Sequence, residues 1–271
     1  MRRRVRFYSI AAFIGVMVAT GLGFNFFQRG EKAKTGPRQV VKQFSFTSDK
    51  SLDEWEEKVL SRNSTDYKVT DDEGKGCIKA VSENSASTLF YRQKCFYTRD
   101  PFISWDWKVE KFPDRNGREN LTKKKSFDFA AQLYVVFHAR IFLNAKAIQY
   151  VWTETLPVGT VAPSPYTKNV MVMVLESGNA GEWKHEERNI REDFRNLFGI
   201  ELEKDVEAVS FMTDSDSTDS SAVAYYGDIK LGYLAKKEFV SGDAGTGRDL
   251  KSSGGNVQVK SRKKGGTPSG I

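Results

Sequence analysis

Cysteine and histidine are scarce in this chain, and their scarcity excludes several kinds of site. The 271 residues contain two cysteines and two histidines. Zinc sites usually need three or four Cys, His or carboxylate ligands, and redox motifs need CxxC spacing, which Cys77 and Cys95 lack. His138 and His185 lie in unrelated contexts, and no serine occupies a nucleophile elbow. Zinc, thiol-redox and Ser–His–Asp chemistry are therefore not predicted.

The chain also lacks a glycine-rich phosphate loop, βαβ alternation and internal repeats. Nucleotide-binding α/β folds and solenoid folds are therefore not predicted. What the sequence does contain is a series of short apolar stretches separated by turn-forming residues, which is typical of antiparallel β-sandwiches.

The net charge of +7 is unevenly distributed along the chain. The first 38 residues hold eight Lys/Arg and one acid, and the last 36 hold eight Lys/Arg and three acids. Between them lie 26 basic and 31 acidic residues, so the central part is mildly acidic. A basic stripe on a folded domain is what nucleic-acid binding requires, and it is not predicted here.

An uncharged run extends from Phe7 to Phe27, between arginines on one side and Arg29 on the other. At about 1.5 Å per helical residue, it is long enough to span the roughly 30 Å of bilayer hydrocarbon. We predict one transmembrane anchor in the inner membrane, with the domain facing the periplasm. The alternative is a secreted protein whose leading segment is cleaved as a signal peptide.

Three regions follow from this reading. Residues 1–38 form a cytoplasmic stub, the anchor and a tether, and residues 39–235 form the β-sandwich domain. Residues 236–271 are rich in Gly, Ser and Lys and poor in apolar residues, which predicts a disordered basic tail.

The expected fold is all-β, an antiparallel sandwich of the jelly-roll or galactose-binding-like type with one short helix. Phe127 to Phe137 is the clearest strand, because alternate residues place a fully apolar set on one face. The helix begins after Asn189, a good N-cap, and ends at Gly199. The apolar set of the strand is Phe127, Phe129, Ala131, Leu133, Val135 and Phe137.

An acidic turn separates the last two predicted strands, in the stretch FMTDSDSTDSSAVAYYGDIKLGYL. Asp214, Asp216 and Asp219 offer the oxygen ligands that Ca²⁺ prefers, so a calcium site is one interpretation. The stretch departs from an EF-hand loop, since its twelfth position is Tyr225 instead of Glu. A solvated turn whose aspartates cap backbone amides is the other interpretation.

Aromatic rings beside carboxylates suggest a saccharide or envelope glycan as the ligand. The predicted ligand-binding residues are Asp128, Tyr134, Trp152 and Asp228. Trp105 and Trp107 share a strand face, and large aromatic residues at that spacing favour a core position over a binding platform.

Two other functions remain open from the sequence. A glycan-acting hydrolase would use two carboxylates about 5–10 Å apart, taken from Asp128, Glu176 and Asp228. A protein–protein interaction module of the cell envelope would need no pocket. No catalytic constellation is recognisable, so we do not predict an enzyme.

The two cysteines, Cys77 and Cys95, fall in strands that we pair as a hairpin. In that pairing they face each other within reach of a disulfide, which an oxidising compartment would favour. Two unrelated buried thiols are the alternative.

Several motifs together resemble a bacterial family, domain of unknown function 3047. In chain order they read CIKAVSENSAST, PFISWDWKV, SFDFAAQLYVVF, QYVWTETLPVG, MVMVLESG, EWKHEERNIREDFRNLFG and TDSDSTDSSAVAYYGDI. The resemblance extends over Phe44 to Leu234 and implies a β-sandwich, but no activity. The family pattern has Asp and Arg where this chain has Phe127 and Gln132, so a charged role at those two positions does not carry over.

Overall fold

The computed structural model describes residues 37–92, 100–115, 119–139 and 145–234. The predicted membrane anchor and the predicted C-terminal tail lie outside the described residues. In the part of the chain that is described, no helix has the length and apolar character needed to cross a membrane.

The described residues form β-strands, one α-helix and two short 3₁₀ helices, Asp49–Leu52 and Lys124–Ser126. The strands and the helix are β1 (Arg38–Phe44), β2 (Glu56–Val59), β3 (Asp66–Asp72), β4 (Lys75–Glu83), β5 (Ala86–Arg92), β6 (Pro101–Lys111), β7 (Ala131–Phe137), β8 (Ala147–Thr153), β9 (Val161–Ser164), β10 (Thr167–Ser177), β11 (Lys184–Asn189), α1 (Ile190–Phe198), β12 (Val206–Asp214) and β13 (Ser221–Leu234).

The strands form two sheets. The six-stranded sheet has the order β11-β6-β13-β4-β3, and β1 also pairs with β13. The seven-stranded sheet has the order β2-β5-β12-β7-β8-β10-β9. The predicted antiparallel arrangement is wrong at one pair, because β10 runs parallel to β8. After β8 the chain forms β9 at the edge of the sheet. It then turns back as β10, which lies between β8 and β9 and runs antiparallel to β9.

One apolar core lies between the sheets, so the predicted β-sandwich is confirmed. The six-stranded sheet contributes Ile78, Trp105 and Tyr226, and the seven-stranded sheet contributes Leu133 and Phe211. Each of these five side chains is at most 1% exposed. At about 25 cal/mol per Å² of apolar area removed from water, such burial is the main force that holds the sheets together.

The predicted strand from Phe127 to Phe137 is too long. β7 begins at Ala131, after a bend at Ala130. From Ala131 onward, alternate side chains of β7 enter the main core: Ala131, Leu133, Val135 and Phe137. Phe127 and Phe129 instead join a second, smaller apolar cluster, which includes Val151 and Val172. Because Val151 and Val172 alternate with main-core residues along β8 and β10, this cluster covers the outer face of the seven-stranded sheet.

The predicted helix is confirmed at both ends. The Asn189 side chain accepts a hydrogen bond of 3.1 Å from the Glu192 amide, and Gly199 ends the helix at a φ of 69°. These are local signals, since an N-cap oxygen and a left-handed glycine satisfy backbone groups that the helix leaves unpaired.

The hairpin that suggested a disulfide does not form. Cys77 is buried on β4 in the six-stranded sheet, whereas β5, the next strand, lies in the seven-stranded sheet. Cys95 lies outside the described residues, so its disulfide with Cys77 stays a prediction. The hairpin that would have brought the two cysteines face to face does not support it.

Candidate functional site

Three carboxylates meet beside the outer face of the seven-stranded sheet. One oxygen from each of Asp128, Asp214 and Asp216 lies within 4.8 Å of the others. Asp214 ends β12, Asp216 follows it in the turn to β13, and Asp128 precedes β7. We call these three residues the acidic cluster.

The turn after β12 binds the Asp128 carboxylate through its backbone. The Ser217 amide donates to Asp128 Oδ1 at 3.2 Å, and the Thr218 amide donates to Oδ2 at 2.7 Å. The Thr218 hydroxyl donates to the same Oδ2 at 2.7 Å. Asp128 therefore fixes the turn that carries Asp216.

A buried ion pair holds the Asp128 segment in place. The Arg115 guanidinium donates to the Asp128 carbonyl oxygen and lies 3.2 Å from the Glu119 carboxylate. Glu119 in turn accepts the Thr155 amide at 2.9 Å, which ties this segment to the end of β8. Arg115 contacts the backbone carbonyl of Asp128 and not its carboxylate. The positive charge of Arg115 is therefore paired with Glu119.

Asp214 belongs to a chain of buried polar groups. Its Oδ1 accepts from the Phe129 amide and from Gln132 Nε2, both at 2.7 Å. Gln132 Oε1 accepts from Gln149 Nε2 at 2.7 Å and from the Tyr134 hydroxyl at 3.0 Å. Gln132 and Tyr134 alternate with core residues along β7, so this network lies on the outer face of the sheet.

The electrostatics of the acidic cluster are unfavourable for three ionised carboxylates. Burial raises the pKa of Asp214 well above its usual range, and Asp128 and Asp216 add to this, against the hydrogen bonds from Phe129 and Gln132. Burial and Asp128 also raise the pKa of Asp216. Among the described residues, no cationic side chain forms an ion pair with any of the three. Such a group favours either bound protons or a bound cation.

Of the predicted calcium ligands, Asp219 lies apart from the other two. It adopts a φ of 53° in the turn and accepts a hydrogen bond from the Asn84 side chain. Asp128, which we had assigned to the saccharide face, takes its place beside Asp214 and Asp216. The structure thus unites members of two separately predicted sets.

The four predicted ligand-binding residues do not form one face. Asp128 and Tyr134 lie on the network described above. Trp152 is fully buried between the sheets, and its indole nitrogen donates to the Gly178 carbonyl at 2.7 Å. Asp228 belongs to the six-stranded sheet, where it accepts from Gln43 Nε2 at 3.1 Å.

The remaining predicted residues also have definite places. Trp105 and Trp107 are core residues, in edge contact with each other at a ring-centroid distance of 5.2 Å. Glu176 adjoins Glu186, and neither Asp128 nor Asp228 contacts it in the part of the chain described. The three carboxylates considered for a hydrolase thus have three different sets of neighbours.

Sequence reasoning missed Gln132 and Gln149 as members of the site. Both are at most 1% exposed. The available signal is a polar amide at the position that alternates with apolar core residues on β7 and on β8. Such amides indicate that the outer face of the sheet is covered by other residues. The mixture of polar and apolar residues on that face of β7 is a weaker signal of the same covering.

The model of the family described as "Protein of unknown function (DUF3047)" matches residues 53–230. No curated protein matches the chain. Solved structures to which the chain is similar include the family 11 carbohydrate-binding module of the Clostridium thermocellum cellulase Lic26A-Cel5E. It is 10% identical with a TM-score of 0.40, and the match covers 75% of this chain and 99% of that chain.

A second neighbour is the CBM22-1 xylan-binding domain of Xyn10C from Paenibacillus barcinonensis. It is 10% identical with a TM-score of 0.38, and the match covers 74% of this chain and 98% of that one. The enzymatically active domain of tailspike protein 4 from bacteriophage CBA120 is 8% identical with a TM-score of 0.40, and the match covers 70% of this chain and 22% of that chain. At such low similarity, what these proteins bind says nothing about this chain.

Proposed function

Because the chain belongs to the DUF3047 family, which is described only as of unknown function, we propose its function from its own site. The protein is a β-sandwich that binds a divalent cation, Ca²⁺, at Asp128, Asp214 and Asp216. It binds a saccharide, such as a glycan of the cell envelope, on the adjoining outer face of the seven-stranded sheet. It acts as a binding module without catalysis.

One observation carries the cation part of the proposal. Three carboxylates approach within 4.8 Å, two of them buried, with no ion-pair partner among the described residues. A hard cation with oxygen ligands removes the mutual repulsion and compensates for the loss of solvation. Ca²⁺ takes six to eight oxygens at roughly 2.3–2.6 Å, so other oxygens complete its shell. Saccharide hydroxyls are suitable for those positions.

Two tyrosines beside the cluster support the saccharide part. Tyr134 is partly exposed and its hydroxyl is held by Gln132. Tyr166 is partly exposed, packs edge-on against Phe127 at 5.7 Å and adjoins Ser217 of the acidic turn. Partly exposed rings next to polar groups provide an apolar surface for sugar C–H groups and hydrogen-bond partners for hydroxyls.

Binding to a glycan array tests this proposal. In millimolar Ca²⁺ we expect the full-length protein to bind at least one glycan, and to lose that signal when EDTA is added. Tyr134→Ala and Tyr166→Ala should each reduce the signal to background, because each removes a ring from the proposed face. Tyr233→Ala, in the six-stranded sheet, is the matched control and should bind as the wild type does. An array without any signal in Ca²⁺ would remove the saccharide part and leave the cation part standing.

The hydrolase alternative gains no support from the geometry. Asp128 is bound by the acidic turn, Asp228 is paired with Gln43, and Glu176 lies beside Glu186. The three predicted carboxylates therefore share no neighbour that would indicate a common position for a glycosidic bond. The interaction-module alternative would need an exposed apolar patch. The exposed large apolar side chains of the described residues are Val40, Val41, Val59, Val158 and Ile200, on different elements apart from the first two.

We also propose that residues 1–38 anchor the protein in the inner membrane with the sandwich in the periplasm. The support is the uncharged run from Phe7 to Phe27, which follows a cluster of arginines. Alkaline phosphatase fused to the C-terminus should be active, since it requires an oxidising exterior compartment, and the fusion should remain in the membrane fraction. An active fusion in the soluble periplasmic fraction would indicate the cleaved signal instead. A C-terminal fusion active only with a cytoplasmic reporter would contradict both arrangements.

A further inference from the structure

A second pair of carboxyl groups lies where the chain passes from one sheet to the other. β10 ends at Ser177 in the seven-stranded sheet, and β11 begins at Lys184 at the edge of the six-stranded sheet. Residues 178–183 connect them as an arch. Glu176, at the end of β10, adjoins Glu186 of β11 inside this arch. Both are partly buried, and Glu186 pairs in register with the core residue Trp105.

Hydrogen bonds to the neighbouring strands hold the arch closed. The Trp152 indole donates to the Gly178 carbonyl at 2.7 Å, and the Gly181 amide donates to the Val109 carbonyl at 2.7 Å. Among the described strands β11 pairs with β6 alone, and it continues directly into α1. An edge strand with one partner opens at a lower free-energy cost than a central strand.

Buried polar atoms beside Glu186 lack a hydrogen-bond partner within the described part of the chain. They are Glu186 Oε1 and the indole nitrogens of Trp105 and Trp107. Trp107 is fully buried, and its indole N–H slightly opposes the rise in the pKa of Glu186 without meeting the geometry of a hydrogen bond. An unpaired buried polar atom is destabilising, so this corner of the core is less stable than its surroundings.

The charged side chains around Glu176 and Glu186 form their hydrogen bonds with other residues. Arg188, on the same strand as Glu186, donates to both oxygens of Asp193 in α1, at 2.9 and 2.5 Å. The Tyr150 hydroxyl of β8 donates to the same Asp193 carboxylate at 2.7 Å. Lys184 lies near Glu176 and bonds to Glu182 at 2.6 Å. Arg188 therefore offsets the repulsion between the two glutamates only in part.

Two adjacent carboxyl groups in such surroundings retain a proton. Burial raises the pKa of Glu186 from 4.5 to about 8, and the neighbouring Glu176 charge adds to the shift. At neutral pH Glu186 is thus protonated and able to donate to Glu176. Above the raised pKa both groups carry a negative charge inside the arch, where repulsion and lost solvation oppose closure.

We propose that Glu176 and Glu186 form a proton-controlled latch: their shared proton keeps the β10–β11 arch closed, and its loss releases β11 from β6 at the edge of the sandwich. Release uncovers the β6 segment of Trp105 and Trp107, which pairs with β11 in the closed arch. The latch is independent of the acidic cluster, which is formed by β12, the turn after it and the segment before β7.

The direction of the pH dependence follows from the raised pKa. The closed arch binds the Glu186 proton more tightly than the open arch, in which the carboxyl has its ordinary value of 4.5. Closure is therefore fully favoured below pH 4.5, weakens as the pH rises, and is weakest above about 8. Release of one proton on opening raises the opening constant by up to about tenfold per pH unit within that interval.

Hydrogen exchange on the full-length protein tests the latch, with rates corrected for the intrinsic effect of pH. In the wild type we expect protection of the β11 amides to fall by up to about tenfold per pH unit between roughly pH 5.5 and 7.5, and to level off above about pH 8. Glu186→Gln should give protection that does not change with pH, since the amide cannot ionise. Glu187→Gln, the next residue on the opposite face of β11, is the control and should behave as the wild type does.

Glu176→Gln provides a second test in case Glu186→Gln does not fold. In Glu176→Gln the neighbouring charge is removed but Glu186 stays buried, so the pH dependence of protection should be weaker than in the wild type without disappearing. Quenching of tryptophan fluorescence by acrylamide should follow the same pattern in the wild type and both variants. Protection that is flat in the wild type would overturn the latch, as would an unchanged slope in both Gln variants.

Discussion

Replacing Phe211 with alanine is expected to lower the free energy of unfolding by about 3–5 kcal/mol, as is usual when a buried phenylalanine is removed from a core. Phe211 is fully buried on β12, the strand between β5 and β7. Its ring lies 4.6 Å from the Tyr226 ring and 4.9 Å from the Trp55 ring. The substitution leaves a cavity between two sheets that cannot both collapse onto it, because each is held by its own strand pairing.

Urea unfolding, followed by circular dichroism, measures this loss. Phe90→Ala is the matched control, since Phe90 lies on the adjacent strand β5, opposite Ser210, and is partly exposed. We expect it to cost about 1 kcal/mol or less, as surface substitutions usually do. Similar losses in the free energy of unfolding of the two variants would show that the buried position of Phe211 between the sheets contributes no more to stability than the position of Phe90.

The features that sequence reasoning predicted correctly are governed by short-range rules. The cap at Asn189 and the stop at Gly199 act within one helical turn, so α1 was predicted at both ends. Alternation along β7 from Ala131 correctly assigned the core face of that strand. The same rule failed at Phe127 because the chain bends at Ala130, and a bend reverses the face without changing the pattern of residue types.

The incorrect expectations concern pairing at long range. Cys77 and Cys95 suggested a hairpin, yet β4 and β5 separate into different sheets. Both sheets are apolar on the inward side, so alternation alone does not say which sheet a strand joins. For the same reason the sequence did not show which third carboxylate would join Asp214 and Asp216. It is Asp128, although Asp219 is much closer to them along the chain.

The turn after β12 shows how a site forms from such long-range pairing. Thr213 donates to the Ala130 carbonyl at 2.6 Å, which joins the end of β12 to the residue before β7. The Phe129 amide is thereby directed at Asp214, and the Asp128 carboxylate is directed at the turn. The backbone contacts between two distant segments thus determine which carboxylates meet.

Calcium is expected to stabilise the wild-type protein, and Asp214→Asn is expected to abolish the response. A ligand that binds only the folded state adds about 2.7 kcal/mol at a free concentration of 100 times its Kd. For a domain of this size each kcal/mol corresponds to roughly 2–4 °C in Tm. Thermal unfolding in EDTA and in increasing Ca²⁺ measures the shift, which should be absent in Asp214→Asn and strongly reduced in Asp128→Asn.

The behaviour of Asp214→Asn in EDTA separates a metal ligand from a capping residue. The asparagine oxygen can still accept from the Phe129 amide and Gln132 Nε2, which donate to Asp214 Oδ1 at 2.7 Å. The variant also removes a buried carboxyl whose pKa is raised by burial and by Asp128. Without the cation it should therefore be as stable as the wild type or more stable, and less stable only when Ca²⁺ is present. A capping role alone predicts equal stability in both conditions.

Asp219→Asn is the matched control, because Asp219 lies in the same turn but contacts Asn84 and not the cluster. It should keep the full response to Ca²⁺. Mg²⁺ should stabilise the wild type less, since it requires octahedral geometry and gives up its water reluctantly, whereas Ca²⁺ accepts irregular sets of oxygens. A Tm that Ca²⁺ leaves unchanged in the wild type would mean that protons on Asp214 and Asp216, not a cation, relieve the repulsion within the cluster. Stability should then rise on mild acidification, because the pKa values of Asp214 and Asp216 are both raised in the folded state.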